Sequence, residues 1–152
     1  MTALNWSCAR LPDLAALDVY DMLALRSAVF VVEQACIFLD PDGVDLQSHH
    51  LLGRDPKGEL LAVLRIVDPG VKYAEPSIGR VISSPAVRGT GVGRALMAQG
   101  LVECHRLWPG QGIRISAQAR LERFYRECGF APVGEPYLED DIPHIEMLRP
   151  AA

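Results

Sequence analysis

The stretch that most constrains this 152-residue chain is Val81-Ile82-Ser83-Ser84-Pro85-Ala86-Val87-Arg88-Gly89-Thr90-Gly91-Val92-Gly93-Arg94. An apolar run ends near Ser83, and Pro85 bars its continuation as a central strand. Three alternating glycines follow, and then Met97, Leu101, Cys104 and Trp108 recur at helical spacing. Glycine admits positive φ and lets backbone N–H groups approach a ligand closely. The helix start adds unpaired donors and a partial positive charge. A strand, a glycine turn and a helix start in that order make an anion site suited to phosphate, and Arg88 and Arg94 add charge. The dinucleotide spacing Gly-x-Gly-x-x-Gly does not fit: counted from Gly89 its third glycine is Arg94, and counted from Gly91 it is Leu96. The nucleotide-triphosphate loop fails too, because the chain contains no Gly-Lys pair. From the loop alone, a tight turn without any ligand stays open.

The rest of the chain supplies the frame. Asn5 to Arg10 reads as a strand ended by Pro12, and Asp13 as the cap of a helix running to about Gln34, with Met22, Leu25, Val29 and Val32 facing inward. Cys36 to Ser48 is loop-like around the turn cluster Asp40-Pro41-Asp42-Gly43. His50 to Gly53 and Glu59 to Val67 read as a hairpin across Asp55-Pro56-Lys57-Gly58, and Ser77 to Ser83 follows the break at Asp68-Pro69-Gly70. Beyond the second helix, Ile113 to Ala117 alternates like a strand. Leu121, Phe124, Tyr125 and Cys128 then mark the inner face of a short helix stopped by Gly129. Ala131 to Val133 and Ile142 to Leu148 supply two closing strands. The order β-α-β-β-β-α-β-α-β-β requires antiparallel hairpins first and a parallel crossover later. The expected class is α/β (α+β): one domain over residues 1–152, with a mixed, mostly antiparallel sheet of six to seven strands flanked by helices.

Arg88-x-x-Gly91-x-Gly93, after a strand and opening a helix, resembles the acetyl-CoA signature of GNAT N-acetyltransferases. Phe124-Tyr125-Arg126-Glu127-Cys128-Gly129-Phe130 is similar to that superfamily's second hallmark, a tyrosine-bearing helix ending in Gly-Phe. Four stretches resemble the ElaA-like subgroup: Arg26 to Gln34, Ile78 to Ile82, Ala117-Gln118-Ala119 and Asp141 to Ile145. The resemblance implies a V-shaped opening between two central parallel strands, around Val81 and Ile115, that holds the pantetheine arm. Backbone groups of Val81, Ile82 and Ser83 would pair with the arm. The N–H groups of Gly89, Thr90, Gly91, Val92, Gly93 and Arg94 would hold the pyrophosphate, with Arg88 in the motif's Arg/Gln slot. The implied reaction is direct transfer from acetyl-CoA to a primary amine, of a small molecule or a peptide, within a ternary complex. Tyr125 matches the tyrosine that donates to the departing sulfur, although its helical stripe equally suits plain core. Two residues compete as general base: Glu33, otherwise a solvated helix-end acid, and His144, otherwise a strand histidine hydrogen-bonded in place. Of His49 and His50, at most one can face the site.

The formal net charge of -4 argues against a nucleic-acid partner. No run approaches the roughly 18 apolar residues that span a bilayer, so no membrane partner is expected. Met1 to Arg10 lacks the features of a signal peptide. Four widely spaced cysteines then suit reduced, mostly buried thiols in a cytoplasmic protein; a homodimer is left open. No metal is expected. Asp40, Asp42 and Asp45 hint at a calcium loop, but Asp45 stands where its glycine belongs and Leu51 where its glutamate does. Those acids, with Glu135, Glu139, Asp140 and Asp141, either solvate two loops or favour a cationic acceptor. A non-catalytic acyl-CoA-binding or sensing module is the competing reading, since it needs the glycine loop but neither base nor Tyr125 hydroxyl.

Overall fold

The computed structural model describes residues 3–151. Its elements are β1 (Asn5–Arg10), α1 (Ala16–Arg26), β2 (Ser48–Arg54), β3 (Leu60–Val67), β4 (Ser77–Ser83), α2 (Val92–Leu107), β5 (Ile113–Gln118), α3 (Glu122–Glu127), β6 (Ala131–Pro132), β7 (Tyr137–Glu139) and β8 (Ile142–Arg149). β1-β2-β3-β4 form one four-stranded sheet; β5-β8-β6 form a second, with β7 also on β8, and every ladder is antiparallel. β4 and β5 run in the same direction and meet where Arg114 donates its N–H to the Pro76 carbonyl at 3.0 Å. Past that point each pairs only with its own sheet, so the two strands diverge into a V.

β3 is buried along its whole length, as a strand must be when it has neighbours on both edges and helices on both faces. One face carries Ala62, Leu64 and Ile66 into a core shared with α2 and β5. The other carries Val63 under Met22 and Val29 of the first helical segment. α2 lies close over the sheet because of Gly100. A Cβ there would stand 2.9 Å from Leu64 Cδ2.

Four expectations are corrected. Asp13 caps nothing: Leu11–Asp13 closes a 3₁₀ turn around Pro12, and α1 begins after Ala15 with no side-chain cap. The helix also does not continue regularly to Gln34, because Ser27–Glu33 is a π-helix, with Gln34 N–H bonded to Val29 O and Cys36 N–H to Val31 O. These wider turns change the phase, so Val29 is buried while Val32, on the expected inner face, is 75% exposed. β7 was not anticipated; it raises the strand count to eight. The cysteines are all free, but only Cys104 is buried.

Candidate functional site

The V between β4 and β5 opens into three hollows that share walls. The outer one lies at the glycine loop, between Val87, Gly91, Arg94 and Phe124. It shares Ser83 and Arg88 with a middle hollow that also touches Glu33 and Arg120. Phe30, Gln34, Val81, Gln118 and Leu121 border both the middle hollow and the inner one, which reaches Tyr125 and His144. One cleft thus runs from the loop to the divergence of the strands.

At its outer end Gly91 takes φ 90 and stands as N-cap of α2 with no side chain capping the helix. Ala95 is the first residue bonded back, to Gly91 O at 3.1 Å. The N–H groups of Val92, Gly93 and Arg94 therefore head the helix without intrahelical partners. Gly89 is also left-handed, φ 79. The loop arginines are held by acids: Arg88 makes a two-pronged pair with Glu33, at 2.8 and 2.9 Å, and Arg94 pairs with Glu127. The hydrogen bonds from Arg88 hold the Glu33 carboxyl below its ordinary range.

Along β4 the geometry is set by a bulge. The register with β3 slips between Val63 and Arg65, placing Arg80 and Val81 opposite Leu64 alone, with Arg80 at φ 49. Ser84 donates its N–H to Leu61 O at 2.7 Å. Strand alternation then turns Ile82 toward β3 and the N–H and C=O of Ser83 toward the open edge of the V. Ile82 is also buried in the core under α1.

The acids of residues 40–45 are neither a solvated surface nor a free acceptor patch. Asp40 and Asp45 are buried, and with Asp42 they bind three arginines. Arg26 reaches Asp40 at 2.8 Å and Asp45 at 2.9 Å; Arg65 reaches Asp42 at 2.8 Å and Asp45 at 3.1 Å; Arg80 reaches Asp40 at 2.9 Å. Burial pushes the Asp42 carboxyl up, but the hydrogen bond and charge of Arg65 outweigh it and hold it at about 2. The Arg80 guanidinium also lies over the rings of Phe30 and Phe38, at 5.8 and 5.7 Å. The network thereby clamps the bulge to the end of α1.

At the inner end Tyr125 is 7% exposed, edge-on to Phe124 and Phe130. It belongs to the core and to the cleft wall at once. Burial raises its phenol well above the usual range, so it remains a neutral donor. His144 sits on β8 with Nδ1 2.6 Å from Ile142 O. A carbonyl can only accept, so Nδ1 carries the proton and Nε2 is left as the nitrogen that gains or loses one. Nε2 stands 3.3 Å from Glu139 Oε2. Tyr125 and His144 therefore share the inner hollow, whereas Glu33 lies in the middle one, tied to Arg88.

A family model for the acetyltransferase (GNAT) domain matches residues 44–149. Protein ElaA of Escherichia coli is 43% identical over 148 residues, 96% of either chain. A UPF0039 protein from Synechocystis is 47% identical over 145 residues, 95% of this chain and 94% of that one. The crystal structure of an acyl-CoA N-acyltransferase from Pseudomonas aeruginosa superposes with a TM-score of 0.89 at 46% identity, covering 96% of this chain and 99% of that one. That of Escherichia coli ElaA gives 0.89 at 42%, with the same coverage.

The chain belongs to the GNAT acetyltransferase family.

Membership gives the cleft a meaning: a GNAT fold handles an acyl-CoA, and the loop from Gly89 to Arg94, which heads α2, borders the outer hollow. Several residues with a stake in this GNAT cleft gave no sequence signal. Lys72 lies in the β3–β4 connection, where nothing marks it. Arg120 borders the middle hollow with Gln118; Gln118, at the end of β5, lies in the quoted Ala117-Gln118-Ala119, whereas for Arg120 only its place just after a strand could have suggested it. Arg80 was visible inside Ile78 to Ile82, but its role in a bulge depends on pairing with β3.

Proposed function

We propose that this protein moves an acetyl group from acetyl-CoA to a primary amine, of a small molecule or a peptide, by direct attack within a ternary complex. The observation that carries the reading is the continuity of the cleft: a backbone anion site at one end, an open strand edge along it, and a proton donor with a proton acceptor at the other. The pyrophosphate is taken by the N–H groups of Gly89 and of residues 91–94, with Arg88 exchanging Glu33 for phosphate; the Thr90 N–H, expected among them, is instead bonded to Val87 O at 3.3 Å. The pantetheine arm lies against β4, where Ser83 offers its N–H and C=O.

In the transfer, the amine nitrogen bonds to the thioester carbonyl carbon as the C–S bond breaks. His144 Nε2 takes a proton from the amine, and the Tyr125 hydroxyl gives one to the departing sulfur. An N–H on the open edge of β4 serves the oxyanion. Glu33 is the less well placed base, since it lines the middle hollow, whereas His144 shares the inner one with Tyr125.

Thiol release from acetyl-CoA across an amine panel tests this reading. Tyr125→Phe keeps the ring in the core and should lower kcat about a hundredfold or more, with CoA affinity retained. Undiminished turnover by Tyr125→Phe would remove the tyrosine from the mechanism. CoA binding with no turnover of any amine would favour the non-catalytic acyl-CoA-binding module.

A further inference from the structure

The inner hollow is lined by groups of both signs: the cations Arg65, Lys72 and Arg80, and the acids Glu139 and Asp140 beside His144. Most of these charges are satisfied within the protein. Arg65 is held by Asp42 and Asp45, Arg80 by Asp40, and Glu139 stands beside His144. Lys72 is different. Among the described residues it forms no ion pair, although it borders the same hollow as Tyr125 and His144. The residue as a whole remains exposed, yet lost hydration and repulsion from Arg65 hold its ammonium below the ordinary lysine range. A cation in that setting is stabilised by an incoming anion, and the nearby acids do not supply one at contact distance.

The acidic lining suits the other half of an acceptor. β7 and β8 turn at Asp140 and Asp141, both at positive φ. The tip is fastened across the cleft mouth where Cys36 Sγ donates to Asp140 O at 3.4 Å. Glu139 and His144 thus line the cavity from a held position, and Lys72 lines the same cavity.

We propose that the acceptor carries a carboxylate as well as its reacting amine, and that Lys72 binds the carboxylate while the amine faces Glu139 and His144. The acceptor is then an amino acid or a peptide end bearing both groups, rather than a simple polyamine. The proposal rests on the amine-acyltransferase reading above, and it specifies the substrate class of that site.

The test measures kcat/KM for matched acceptors with acetyl-CoA: free amino acids, their carboxamides, the corresponding decarboxylated amines, and dipeptides with free or amidated C-termini. The expected result is a preference of roughly ten- to a hundredfold for the carboxylates, the range of a charge-assisted contact. The dipeptide arm tells a free amino acid from a chain end. Lys72→Met should bring the preference close to unity by raising KM for the carboxylates, and Lys72→Arg should restore much of it. Equal turnover of acids and amides by the unaltered protein overturns the proposal, as does a loss in Lys72→Met that is the same for both. Failure of every amine to react, with CoA binding intact, sinks the amine-transfer reading itself. Turnover without a carboxylate preference sinks only this one.

Discussion

At the glycine loop the binding groups belong to the backbone, lie at the surface, and keep their arginines in exposed pairs; Arg88 and Glu33 are each 43% exposed. Around Asp40 the groups are side chains, three arginines against three aspartates, with Arg26 and Asp40 at 1% and 2% exposure. The first arrangement can trade partners at little cost, because water already competes for every charge in it. The second cannot, because Arg26, Arg65, Asp40 and Asp45 have left water and are stable only while their partners stay. The cleft thus joins an end designed for exchange to a floor designed to stay still, and the bulge at Arg80 lies at their junction.

The largest effect should come from the floor. Arg26→Met replaces a buried cation by an apolar chain of similar length and strips a partner from both Asp40 and Asp45. It should lower unfolding stability by about 3–5 kcal/mol, read as a shift in the urea midpoint at constant slope. A loss under about 1 kcal/mol would rank the network with ordinary surface pairs.

The loop should respond in the opposite sense, with function lost before fold. Gly91→Val forces a β-branched residue into the left-handed conformation that Gly91 holds at φ 90, at about 1–2 kcal/mol. CoA affinity by calorimetry should fall roughly tenfold or more. Retained affinity would mean that the first turn of α2 does not hold the phosphates.

The smallest effect is expected between the two regions. Glu33→Gln removes the competitor for Arg88, so CoA should bind on the order of two- to fivefold tighter. Weaker binding would show instead that Glu33 positions Arg88 for the phosphate.

The sequence was legible where one rule acted alone. Gly129, at φ 94, ends α3 as its left-handed cap requires, and Ser77 to Ser83 is β4 with the expected bounds. The loop from Arg88 to Arg94 could be read because proline, glycines and helical spacing follow one another without a gap. It failed where a tertiary contact decided. The π-turns of Ser27–Glu33 move Val32 outward, and no periodicity in the chain announces them. Asp40, Asp42 and Asp45 looked like loop polarity because their arginines are 14 to 40 residues away. β7 is three exposed residues beside Gly134 and Pro136, with too little alternation to be seen. In the cleft, Tyr125 was visible from its motif, whereas Lys72 shows its place only once the β3–β4 connection is folded over the hollow.

Gly100 has a reach beyond the core. Nine residues separate it from Gly91, roughly 13 Å along the helix axis, so the helix acts as a rigid rod whose height over the sheet is gauged at Leu64 and expressed at the loop. A methyl group at Gly100 must displace Leu64, which is enclosed at 1% exposure, or lift the rod. A lifted rod would carry the N–H groups of Val92, Gly93 and Arg94 out of line with the open edge of β4. The aim of the anion site is thus calibrated by a hydrogen atom in the hydrophobic interior, far from any charge it serves.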